Sequence, residues 1–310
     1  MLNKDFKYKS YLLPLSYKLF TMKRAYNIDE QISLLKEYGV IFDNEEKAKE
    51  ILLDVGFYRM GFYSFPYEKT FPSLINRTHV VKEGTTFKSI YDLYNFDTHL
   101  RRILLNALDR IEVNIRTQIT YIVSNHYLKS PTWFADSNIM ATNFVNTFEE
   151  KVYKTLRDNP VIQRHHNKYI NDKYAPAWKT IEFMTLGNLT SLYKAIKDDE
   201  VKRIIAKRYG CSIKVFLNYL ETIRVIRNKC AHGNCIYNIQ TAKGISIKPA
   251  GVTDDSRHNI NGAICVIKYI LGTISPERRK DLEKDIAGLM NAKRDINATE
   301  IIKNCTKIAI

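Results

Sequence analysis

FKSIYDLYNFDTHLRRILLNALDRIEVNIRTQITYIVSNHY, residues 87–127, contains neither glycine nor proline. Ile90, Leu93, Leu100, Leu104, Leu108, Ile111, Ile115, Ile119 and Ile122 recur at spacings near three and four. That period gathers side chains onto one face of an α-helix, where a half-buried strand would alternate. The stretch predicts one long amphipathic helix, or two nearly collinear ones, whose apolar stripe must be covered by other helices. The expected fold class is all-α, a helical bundle built on a long central helix, with an N-terminal helical extension and minor β.

Upstream, residues 28–38 and 44–55 read as two short helices. Asn44 suits an N-cap ahead of Glu45 and Glu46, and Gly39 and Gly56 follow the two C-terminal ends. The aromatic run 57–65, stopped by Pro66, reads as core, with a base-stacking platform as the alternative. Residues 70–85 read as an irregular or short β connection. Downstream, helices are expected at about 141–158, 178–197 and 199–209, and from a cap at Ser212 to Ala231. A polar loop over 233–256 with a strand-like Ile245–Lys248 follows, then helices at 258–273 and 277–291 and a lysine-containing tail. This divides the chain into an N-terminal subdomain (1–85), a helical core (86–240) and a C-terminal helical extension (241–310).

The composition narrows the partners. The 310 residues are 45% hydrophobic, enough for a sizeable core. With 48 basic against 33 acidic side chains, the formal charge of +15 favours a polyanion, although a solvated lysine-rich surface would have the same composition. Met1–Phe20 is broken by charges and Pro14, so no signal peptide is read there. Ala263–Ile274 is apolar but short and carries Lys268, which predicts a buried helix and no membrane association. All five cysteines follow residue 210 without framework spacing, as expected for free thiols of a cytoplasmic protein.

The helix from Ser212 holds the chemistry. Phe216, Leu220, Ile223, Arg227 and Cys230 follow 4-3-4-3 spacing, so Arg227 stands on the apolar stripe and needs a partner. His232 lies just before Gly233, where the helix should stop. An imidazole changes protonation near neutral pH and can move the proton of a 2′-hydroxyl or of a leaving group. A guanidinium beside it can stabilise charge on a pentacovalent phosphorus. By spacing alone, the pair could equally be an arginine and a histidine with structural roles at a helix end. Glu112 and Arg116 have the i,i+4 spacing of an ordinary helical ion pair. In the functional reading, Glu112 orients Arg227 or His232 from the neighbouring helix. Arg224 is a solvated charge or an RNA contact, and Asn228 orients His232 or helps end the helix. Cys230, His232 and Cys235 lack the CxxC pair that a zinc site would bring, so no metal and no cofactor is expected. Arg164-His165-His166 reads as an exposed basic patch.

Arg227-Asn228-Lys229-Cys230-Ala231-His232, followed by Tyr237-Asn238, resembles the Arg-Asn-x-x-Ala-His signature of HEPN ribonucleases. Further segments resemble Abi proteins of the AbiD/AbiF type along most of residues 20–240. They are Asp29–Leu35, Gly56-Phe57-Tyr58-Arg59, Tyr94-Asn95-Phe96-Asp97 with Leu100-Arg101, Arg110-Ile111-Glu112-Val113 with Arg116-Thr117, Pro176-Ala177-Trp178 and Leu186-Gly187-Asn188-Leu189.

The resemblance implies a HEPN-like helical core and a metal-independent endoribonuclease. Its composite site would be built across a two-fold homodimer that joins two copies of Arg227 and His232. It makes Arg227, His232, Asn228 and Glu112 the catalytic set, with Arg116, Arg224, Lys229 and Tyr237 on the RNA. It also implies a small structured RNA antitoxin as a partner, as for some AbiF-like proteins. The chain departs from the pattern at Cys235, where many HEPN motifs carry a basic residue before the final aromatic. The expected function is a toxin-like enzyme of anti-phage abortive infection that cuts cellular or phage RNA at single-stranded sites. The rivals are a non-catalytic protein that binds a small structured RNA, and an antitoxin-like partner of a nucleotidyltransferase. The N-terminal extension shared with Abi proteins speaks against the last.

Overall fold

The structure, a computed structural model, describes residues 24–308, so the reading of Met1–Phe20 lies outside the described residues. Its main elements are α-helices: α1 (Ile28–Glu37), α2 (Glu45–Val55), α3 (Phe57–Ser64), α4 (Phe87–His126), α5 (Thr142–Phe148), α6 (Lys154–Leu156), α7 (Pro160–Lys168), α8 (Ala177–Thr180), α9 (Leu186–Ala195), α10 (Asp199–Lys207), α11 (Ile213–Ala231), α12 (Ile260–Ile274), α13 (Pro276–Asn291) and α14 (Ile296–Thr306). The fold is all-α. Among the described residues there is no strand, and the β content expected from the sequence reduces to three isolated bridges, Ile41 with Thr86, Glu68 with Val81 and Met140 with Ile196.

The glycine- and proline-free stretch forms the single helix α4, 40 residues long, with Thr86 accepting at its N-cap from Ser89 N. At about 1.5 Å per residue it spans about 60 Å. Its stripe from Ile90 to Ile119 is buried, and at the C-terminal end Val123 takes the seam position while Ile122 is only partly covered. Helices α3, α10, α11, α12, α13 and α14 all pack against α4. Asp97, Arg101 and Glu112 are buried among its apolar residues, and burial of that kind demands partners.

The structure corrects several local expectations. The aromatic run is a helix with two faces: Met60 and Tyr63 are buried, whereas Tyr58 and Phe62 are 81% and 46% exposed. Ile245–Lys248 is not a strand. The side chains of α11 satisfy its backbone instead, Asn218 accepting from Ser246 N at 2.7 Å and Tyr219 donating to Ser246 O at 3.1 Å. The expected helix at 141–158 is interrupted by a π-helical turn over Glu149–Tyr153. The one at 178–197 breaks at Met184, after which Thr185 caps α9. Besides α3, two described helices lie outside the expected ones: α7, started by Asn159 and Pro160, and α14, capped by Asp295, within the expected tail. His165 belongs to no exposed patch; it is 4% exposed on α7. No helix among the described residues is long and apolar enough to cross a membrane.

Candidate active site

Helix α11 begins at Ser212, whose hydroxyl accepts from Val215 N, and ends at His232. Phe216, Leu220, Ile223 and Cys230 are buried along one side. Arg227 follows them on the same stripe, close enough to the helix end that its side chain remains 36% exposed. It is held from α4: Arg227 Nε donates to Glu112 Oε2 at 3.2 Å. The other carboxylate oxygen, Oε1, accepts from Arg116 Nη2 at 3.0 Å. The same Arg116 nitrogen donates to Met184 O at 3.1 Å, a carbonyl freed by the break before α9. One carboxylate thus joins two guanidiniums from two helices, and a third segment fixes the arrangement. Only Nε of Arg227 is engaged among the described residues, which leaves both terminal nitrogens free to donate to an anion.

His232 is the exposed C-cap of α11, its N–H donating to Asn228 O at 3.0 Å. Gly233 follows at φ +66°, the left-handed conformation that glycine adopts without a Cβ penalty, and the chain turns away from the helix axis. The turn is clamped by groups from the N-terminal half. Arg59 Nη1 donates to Gly233 O at 2.8 Å and Arg101 Nη1 to Asn234 O at 3.3 Å. Asp97 Oδ1 accepts from Ile236 N at 3.0 Å and Tyr237 N at 2.7 Å. Its other oxygen accepts from Tyr63 Oη at 2.9 Å and pairs with Arg101. Burial pushes the Asp97 carboxyl above its ordinary value, and Arg101 with these donors pulls it back. Asp97, Arg101, Arg59 and Tyr63 therefore fix the backbone that leaves His232, a role that the sequence reading did not give them.

The remaining candidates divide. Arg224 is paired with Glu221 at 2.8 Å on the same helix, and Lys229 is half-buried near the helix end. Among the described residues no hydrogen bond joins the side chain of Asn228 or Glu112 to His232. Tyr237 is corrected from an RNA contact to a core residue: it is fully buried, its hydroxyl donates to Phe62 O at 2.9 Å, and it presents no surface to a ligand. Cys230 is also packed inside, and burial pushes its thiol up to about 12, which suits an inert core residue and not a thiolate. Among the described residues no group of three or more His, Cys, Asp or Glu side chains could hold a metal ion.

The convergence of Arg59, Asp97, Arg101, Glu112, Arg116 and Arg227 on one helix end draws on segments spread over most of the chain. No curated protein and no solved structure matches the sequence. A family match does exist, to the Abi-like proteins over residues 50–238, a span that contains every one of these positions. The chain belongs to the Abi-like protein family.

Proposed function

We propose that this protein is a metal-independent endoribonuclease of the HEPN type, a toxin-like effector of abortive infection. One observation carries the reading. Among the described residues Arg227 is oriented by the buried Glu112 through Nε alone, five residues before the exposed histidine that ends the same helix. Here two nitrogens are left for a phosphate.

The chemistry is balanced without a further reagent. The His232 imidazole takes the proton of a ribose 2′-hydroxyl, and the oxygen attacks the adjacent phosphorus. Arg227 stabilises the added charge on the phosphorane oxygens. The bond from phosphorus to the 5′-oxygen breaks, and an acid returns a proton to that oxygen. The products are a 2′,3′-cyclic phosphate and a 5′-hydroxyl. A second His232, from a two-fold partner copy, supplies the acid. Arg116, nearly enclosed, stiffens Glu112 and is corrected from an RNA contact to a support, Arg224 and Lys229 contact RNA, and Asn228 supports the helix end at His232. Single-stranded RNA is the substrate, because in-line attack needs a nucleotide free of the A-form stack.

The test is cleavage of a labelled single-stranded RNA in EDTA by wild type, His232→Ala and Arg227→Ala, with product ends mapped and the oligomer sized by light scattering. Discrete fragments ending in cyclic phosphate, absent from both variants, are the expected result. Equal fragments from all three proteins would refute it, and a non-catalytic RNA-binding role would then take first place.

A further inference from the structure

A cavity of about 880 Å³ opens between α1, α3 and the connection that precedes α4. This falls within the ~300–1,000 Å³ of ordinary small-molecule and cofactor sites. The exposed face of α3 forms one wall, through Tyr58 and Phe62, one helical turn apart, with ring centroids 5.2 Å from each other. Tyr38 and His79 form a second ring pair at 5.4 Å on the rim. Arg24 and Arg77 complete it. Each arginine is positioned by a carboxylate and keeps N–H groups in reserve. Among the described residues Arg24 gives Nη1 and Nη2 to Glu30, leaving Nε, and Arg77 gives Nε and Nη2 to the buried Glu68, leaving Nη1. Rings as exposed as Tyr58 contribute nothing to the core, and beside prepositioned guanidiniums they make a surface that suits a flat, anionic ligand.

We infer that this cavity binds an unstacked nucleotide, the base lying against Tyr58 and Phe62 and the phosphate meeting Arg24 and Arg77. Aromatic rings accept any base through its π-face, and spare N–H groups accept the phosphate, so the site grips single strands without reading their sequence. The same helix, α3, supplies the link to the helix end described above. Arg59, next to Tyr58, donates to Gly233 O beside His232, and the Phe62 carbonyl accepts from Tyr237. Helix α3 thus lines the cavity and also bonds to the backbone around His232, which ties the two sites to one helix. The inference rests on the ribonuclease reading for its substrate class and deepens it with a second contact for the same RNA. The nucleotide could belong to a strand or be free, and the experiment separates the two.

Binding is measured by fluorescence anisotropy on the cleavage-dead His232→Ala protein, with a short labelled oligoadenylate and, in parallel, with AMP as a competitor. Adding Tyr58→Ala or Phe62→Ala should weaken the oligonucleotide about tenfold, the effect of losing one stacked base. Tyr58→Phe keeps the ring and should bind as the parent does. Matching circular dichroism melts exclude a folding defect, which is not expected at so exposed a position. Ultraviolet cross-links from 4-thiouridine should map to residues 57–62. If AMP binding falls in Tyr58→Ala while oligonucleotide binding stays intact, the ligand is a free nucleotide. If neither changes, the inference is overturned. Cleavage by wild type is scored separately. Binding lost in Tyr58→Ala without any cleavage would sink the ribonuclease and keep the cavity, and cleavage with unaltered binding would do the reverse.

Discussion

Removing Glu112 tests the architecture of the site most directly. Its side chain is 10% exposed and those of its partners Arg116 and Arg227 are 12% and 36% exposed. The two ion pairs share one carboxylate but sit in different surroundings, so they should differ in strength. Arg116 is nearly enclosed, and its charged hydrogen bond should couple to Glu112 by about 1.5–3 kcal/mol. Arg227 is more than a third open to solvent, and screening brings its coupling down towards the ~0.2–1 kcal/mol of exposed pairs. Glu112→Ala also strands a buried guanidinium, so the whole substitution should cost about 3–4 kcal/mol. That is a large fraction of the ~5–15 kcal/mol by which a native state exceeds its unfolded chain. The assay is a pair of double-mutant cycles, Glu112→Ala with Arg116→Ala and with Arg227→Ala, read from urea unfolding by tryptophan fluorescence. Trp133 is a suitable reporter, being buried and donating to Ser124 on α4 at 3.0 Å. Coupling of Arg227 equal to or greater than that of Arg116 would refute the reasoning. So would a Glu112–Arg116 coupling below the ~0.5 kcal/mol at which independent sites simply add.

Two further substitutions probe the clamp and a buried histidine. Asp97→Ala leaves Arg101 and two backbone N–H groups without their acceptor inside the protein, and should destabilise the fold by about 3–5 kcal/mol. A melting temperature within a degree or two of wild type would contradict the clamp. The second concerns His165: burial, aided by Lys179, holds its imidazole below the ordinary value against the opposing pull of Asp172. The folded state therefore binds its proton less readily than the unfolded chain, whose value is about 6.5. Its contribution to stability is complete above that pH and is lost as pH falls through the depressed folded value. Melting temperatures recorded between pH 8 and pH 5 should therefore fall less steeply for His165→Phe than for wild type, and parallel profiles would exclude this role.

The two charged anchors of the site were open to the same reading, yet only one was found. Arg227 interrupts the apolar stripe of α11, and that misfit alone marked it as a residue in need of a partner. Asp97 interrupts α4 in the same way: Leu93, Asp97, Leu100, Leu104 and Leu108 follow 4-3-4-4 spacing, and all five are fully buried. The spacing was there to be read, but a single Asp on a helix 40 residues long is easily taken for part of its polar face. Apart from Arg101, one turn further along α4, its partners gave no local signal, because Tyr63, Ile236 and Tyr237 are 34, 139 and 140 residues away. Two of its four bonds are to backbone N–H groups, which no side-chain pattern reveals. The same limit explains Tyr237. An aromatic after the motif looks like a stacking surface until the Asp97 clamp turns its backbone inward and Phe62 takes its hydroxyl. Periodicity could show which residues are out of place on a helix, and so reached the long helix and Arg227. What it could not show was which distant backbone each misplaced charge had come to hold, and that is how the loop after His232 gets its shape.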